Sequence, residues 1–174
     1  SGFINMGTEA GIFFGTDMGL LYATNHNGEI LQGYPINTGS GINVTPSFAD
    51  LNNDGEAEVI SGNTNGNILS FSLDGFPYNY FPIIGEYSII GSPVISDIDL
   101  DNDLEIILGT TSGLTAVDIK TVGNYIDYWS LYRGNILRQG SFKMSLDTGC
   151  DTIIAGDLDC NGLIDVSDII ILIG

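Results

Sequence analysis

The segment Asp50–Glu58, DLNNDGEAE, sets oxygen-bearing side chains at alternate positions: Asp50, Asn52 and Asp54, then Glu56 and Glu58 after a glycine. Carboxylates this close repel one another and raise each other's pKa unless a cation sits among them. A second run, DIDLDNDLE, begins 97 − 50 = 47 residues later and sets Asp97, Asp99, Asp101, Asp103 and Glu105 at the same positions. Calcium is a hard cation that takes about six to eight oxygens in flexible geometry, and a tightly curled loop can turn alternate side chains toward one centre. The spacing therefore assigns the side chains of Asp50, Asn52, Asp54 and Glu58 with the carbonyl of Glu56 to one ion. It assigns Asp97, Asp99, Asp101 and Glu105 with the carbonyl of Asp103 to another. Asn102 replaces the glycine at position six of the second loop, and Asn visits left-handed conformations more readily than most residues.

A third acidic run, GDLDCNGLIDVSD, has Asp157, Asp159 and Asn161 at positions one, three and five and Gly162 at six. The carbonyl of Leu163 falls at seven, Asp165 at nine and Asp168 at twelve, the spacing of an EF-hand loop. A short apolar helix is expected after it. Three loops imply about three calcium ions. Magnesium, which demands a smaller and near-ideal octahedron, fits these spacings less well. Zinc fits worse, because His26 has no second histidine nearby and two cysteines do not make a four-ligand set.

The elements that must hold these loops repeat with them. At the same 47-residue offset Gly15 matches Gly62 and Gly109, Gly19 matches Gly66 and Gly113, Pro35 matches Pro82, and Pro46 matches Pro93. The segments GIFFGTDMGLLYA, VISGNTNGNILSF and IILGTTSGLTAVD read as three copies of one hairpin, since apolar residues alternate with small or polar ones at period two. Each unit then runs through a turn and an aromatic-Pro step into a strand that enters the acidic loop. Residues 1–140 are expected to form the β-repeat domain and residues 141–174 a linker and calcium-binding segment.

Charge narrows the function. The net charge is −18, and residues 1–119 contain no Lys or Arg, which argues against neutralising nucleic-acid phosphates. Twelve of the 22 acidic residues fall in three nine-residue stretches, Asp50–Glu58, Asp97–Glu105 and Asp157–Asp165, so the charge is local to the loops. No apolar run approaches the ~20 residues that span a bilayer. No leader pattern is present, so Ser1 reads as a mature or processed terminus, or as the edge of an expressed piece. Cys150 and Cys160 form an even pair beside calcium-type loops, which favours a disulfide and a secreted or cell-surface address.

The stretches FADLNNDGEAEVISGN and ISDIDLDNDLEIILGT resemble the FG-GAP or VCBS-type repeats of calcium-binding β-propellers, related to integrin α-subunit blades. The resemblance covers residues 9–133, including YWSLYRGN, which is similar to a propeller's closing segment. From Cys150 onward the chain resembles one half of a type I dockerin, with one loop where that family has two. It implies propeller-like blades, calcium in the loops and an extracellular role. Propellers close with about four to eight blades, whereas two full units and part of a third are present. The chain is thus expected to be part of a longer propeller, an open array, or a subunit that pairs with other copies.

No serine lies in a nucleophile-elbow context and His26 falls on an expected hairpin turn, so a catalytic role is not expected. The leading expectation is a structural or adhesive protein that binds itself or another extracellular protein, with a fibre subunit joined by strand addition as one form of it. The alternative is a carbohydrate-binding or anchoring portion of a larger secreted hydrolase. Its sugar face would use Tyr34, Tyr78, Tyr80, Phe81, Tyr128 and Trp129, of which Tyr34, Phe81 and Tyr128 are repeat-equivalent and fit blade packing better.

Overall fold

Short strands alternating with Gly, Asn and Asp turns leave each hairpin one apolar face, which must be covered by a neighbour. The computed structural model describes residues 1–6 and 10–134, and these residues build three antiparallel sheets. The first orders β1 (Gly2–Asn5), β2 (Ala10–Gly15), β3 (Leu20–Thr24) and β4 (Ile36–Asn37) side by side. The second orders β5 (Ser47–Ala49), β6 (Glu58–Gly62) and β7 (Ile68–Ser72). The third orders β8 (Val94–Ser96), β9 (Asp103–Thr110) and β10 (Gly113–Val122). No helix occurs among the described residues. The chain divides into compact units Ser1–Phe142 and Lys143–Gly174. The third acidic loop, with Asp157, Asp159, Asn161, Leu163, Asp165 and Asp168, lies outside the described residues, as do Cys150 and Cys160.

Corresponding joints hold the sheets together. The Ile42 amide donates to the Thr16 carbonyl at 2.9 Å, and 47 residues later the Ile89 amide donates to the Asn63 carbonyl at 3.2 Å. The Thr64 amide donates to Gly41 at 2.8 Å, and the Thr111 amide to Ser88 at 2.9 Å. Ile42 lies over Gly15 and Ile89 over Gly62, so close that a Cβ on Gly62 would stand 2.5 Å from two carbons of Ile89. These glycines end the strands because an isoleucine from the following linker occupies the space a side chain would need. Phe13 packs edge-on against Phe48 and Tyr34 between the first two sheets, and all three are buried.

The second sheet is covered on both faces: every residue of β6 is buried. The outer sheets are not. In β2 and β3 buried residues alternate with half-buried ones, and β10 is exposed along most of its length.

The three hairpins differ in one respect. Leu21 stands opposite Gly15 and Ile68 opposite Gly62, but Leu114, not Thr115, stands opposite Gly109. The third hairpin has slipped by one residue, which turns the side chains of β10 to the other face. The register changes again between Asp118 and Val122, where Lys120 takes a left-handed φ of 58°.

After β10 the chain does not continue outward along its own sheet. The Asn124 amide and carbonyl pair with the Asp50 carbonyl and amide at 2.7 and 2.8 Å, Trp129 accepts from the Phe48 amide, and Ser130 accepts from the Ile95 amide. The segment Gly123–Ser130 thereby runs along the edge strands β5 and β8. Trp129 is buried there with Phe3 against its ring.

Candidate metal centre

Both described acidic loops join an edge strand to the middle strand of a sheet: Asp50–Ala57 follows β5, and Asp97–Asn102 follows β8. Each is curled by its own carboxylates. Asp50 accepts from the amides of Asp54 and Gly55 at 3.1 and 2.8 Å, and Asp97 accepts from those of Asp101 and Asn102 at 3.2 and 3.1 Å. One step inward, Glu58 Oε2 accepts from the Leu51 amide at 2.8 Å and Glu105 Oε2 from the Ile98 amide at 2.7 Å. Asp54 accepts from the Glu56 amide and Asp101 from the Asp103 amide. The turn at position six is left-handed in both loops, with φ of 90° at Gly55 and 74° at Asn102. Asn is among the few residues other than Gly that adopt this conformation routinely.

In the second loop the curl brings one carboxylate oxygen each from Asp99, Asp101, Asp103 and Glu105 within 4.8 Å of one another. Asp97 is not in that group; both of its oxygens face backbone amides. Glu105 is only 8% exposed, and its Oε1 is buried without a hydrogen-bond donor. Asp103 Oδ1 is likewise buried and without one. Buried acceptors in native proteins nearly always find a partner, and a cation placed among these carboxylates would satisfy both oxygens.

The metal-free electrostatics carry the same sign. Partial withdrawal from water, the Asp101 side chain and the charges of Asp101 and Asp118 push Asp103 up to about 6, with Lys120 opposing them. Asp99 is also raised, by burial and then by Asp101 and Glu105, whereas Asp101 is lowered, first by the Asp103 amide. In the first loop, burial and the charges of Asp54 and Asp50 push Glu58 up to about 7 against the Leu51 amide. A bound cation reverses these shifts.

Two residues beyond the loop spacing join the second site. The register change in β10 brings Lys120 against Asp118, and its ammonium nitrogen lies 3.8 Å from Asp103 Oδ2. The corresponding positions of the second sheet are Phe71 and Leu73, so only the second described loop has this neighbour. Asp118 and Lys120 carry no signal in the repeat pattern.

The aromatic residues named for a sugar face do not converge on one. Tyr34 and Trp129 are buried, and Tyr78, Phe81 and Tyr128 pack against the core, leaving Tyr80 exposed. His26 lies exposed on the turn between β3 and β4. No protein-family model matches the chain, and no curated protein matches it.

Proposed function

We propose that this chain is a calcium-stabilised β-sheet module of the cell exterior with a structural or adhesive role. The observation that carries the metal reading is the orphaned Oε1 of buried Glu105 within the ring formed with Asp99, Asp101 and Asp103. An all-oxygen ligand set on a flexible loop suits calcium better than zinc or magnesium. The matching hydrogen-bond plan of the Asp50 loop supports a second ion there, held by Asp50, Asn52, Asp54 and Glu58 with the Glu56 carbonyl. The spacing of Asp157–Asp168 supports a third. Ions held in loops that connect two strands of one sheet would brace the strands, which favours a stabilising role over a catalytic one. The extracellular address rests on the sequence: free calcium sufficient to fill open acidic loops and an oxidising setting for the Cys150–Cys160 pair.

Calorimetric titration of the chelated protein tests the metal reading. Calcium is expected to bind at more than one site per chain and to raise the melting temperature. Each site held a hundredfold above its dissociation constant adds about 2.7 kcal/mol. Glu105→Gln is expected to remove one site from the titration while leaving the others. A titration with no heat and an unmoved melting temperature would overturn the proposal.

A further inference from the structure

The two outer sheets expose faces whose counterparts are buried inside the molecule. The residue opposite the repeat-equivalent glycine (Gly15, Gly62 or Gly109) is Leu21 in the first sheet, Ile68 in the second and Leu114 in the third, and their exposures are 0%, 3% and 74%. The slipped register of β10 is what puts an apolar residue there, because the residue at the unslipped position is Thr115. Beside Leu114 on the same face stand Ile107 and the exposed Ala116 and Val94. No described strand pairs with the free edge of β10.

At the other end the opposite face is open. Ile106 and Leu108 of the third sheet are buried, and Leu108 lines one cavity with Ile68, Ile83 and Ile89, which belong to the second sheet and the linker after it. Their counterparts in the second sheet, Val59 and Ser61, are fully buried as well. In the first sheet the counterparts are Ile12 and Phe14, which are only half-buried, with Phe14 stacked on Tyr22. One end therefore presents the kind of face that the first two sheets offer to their successors. The other presents the kind that the last two offer to their predecessors.

We propose that the Leu114 face of one chain docks on the Phe14 face of a second copy, extending the order of sheets head to tail. Such a contact joins two different patches, so it leaves both outer faces free and propagates until something closes it. The proposal names the partner for the structural role above, yet it needs no bound metal and fails or succeeds separately from the calcium titration. The charge of −18 opposes association, and moderate salt screens it.

The test is the mass of the full chain in solution, measured across concentration at moderate salt, with calcium and with chelator. The wild type is expected to grow beyond 18.5 kDa in a concentration-dependent series. Leu114→Asp alone and Phe14→Asp alone are each expected to stay at the mass of one chain. An equimolar mixture of the two is expected to form a dimer and nothing larger, because only one intact pair of faces remains. Ile12→Asp, on the same half-buried face, serves in place of Phe14→Asp if circular dichroism shows that variant unfolded. A monomeric wild type, variants that assemble like the wild type, or a mixture that stays monomeric would each overturn the proposal.

Discussion

Glu58 and Asp103 hold the pH response of the metal-free protein. Burial and neighbouring charge raise Glu58 from an ordinary 4.5 to about 7, and Asp103 rises from 3.8 to about 6. A carboxyl whose folded pKa is raised binds its proton more tightly in the native state. Its contribution to stability is fully present below the unfolded pKa and is lost as pH rises through the folded pKa. In chelator, the melting temperature is therefore expected to fall as the pH is raised from about 4 to about 7. With excess calcium the slope should reverse, because protons then compete with the ion for the same oxygens. Melting curves at stepped pH in the two buffers check both signs, and parallel curves would remove the carboxylates as the cause. The curled acidic loops were legible from sequence because spacing is a local property, but the converging oxygens were not: Asp97 turns to backbone amides, and the Asp103 carboxylate stands in the group where only its carbonyl was expected. Lys120 was not legible, because what brings it to Asp103 is a change of pairing between two strands.

At the scale of the strand, the joints between sheets rest on isoleucine over glycine. Gly62→Ala would set a methyl 2.5 Å from Ile89, and overpacking of this kind costs about 1–3 kcal/mol. Gly39→Ala is the control: its φ of 78° strains an alanine, yet nothing lies within 4 Å of the added methyl. Denaturant melts of Gly62→Ala, Ile89→Ala and the double variant are expected to show a favourable coupling of about 1 kcal/mol between neighbours. The pair Gly39→Ala and Ile89→Ala should add without coupling. The glycines and the three hairpins could be read from the 47-residue period. The slip of β10 could not, since Gly109 and Gly113 keep the spacing of Gly62 and Gly66 while the partner across the hairpin changes from Thr115 to Leu114. Register is decided by which side chains each face can bury, and that depends on what covers the sheet.

At the scale of the whole described sheet assembly, the return of the chain after β10 ties the two described acidic loops together. The Gly123 amide donates to the Asn102 carbonyl at 3.3 Å, and Asn124 pairs with Asp50. A Cβ on Gly123 would press on Leu104 and on the Asp50 carbonyl oxygen, 2.6 and 2.9 Å away. Gly123→Ala is accordingly expected to weaken calcium binding at both loops, whereas Glu105→Gln affects one. Calorimetric titration separates the two patterns, and loss of a single site in Gly123→Ala would count against the tie.

The same return sets an order in time. Strands β5 to β7 lie next to one another in sequence, so their ladders can close as soon as they are made. The outer edge of β5 cannot, because its partner Asn124 is synthesised 124 − 50 = 74 residues after Asp50. Contacts between residues so far apart form late and slow the approach to the native state. Until Gly123–Ser130 arrives, the amides of Phe48 and Asp50 lack their native acceptors, and an open edge of this kind pairs readily with any other strand nearby. A nascent chain must therefore pass through a stage in which β5 to β7 are built but unsealed, and Trp129, buried near the end of that segment, takes its place after the strands it covers.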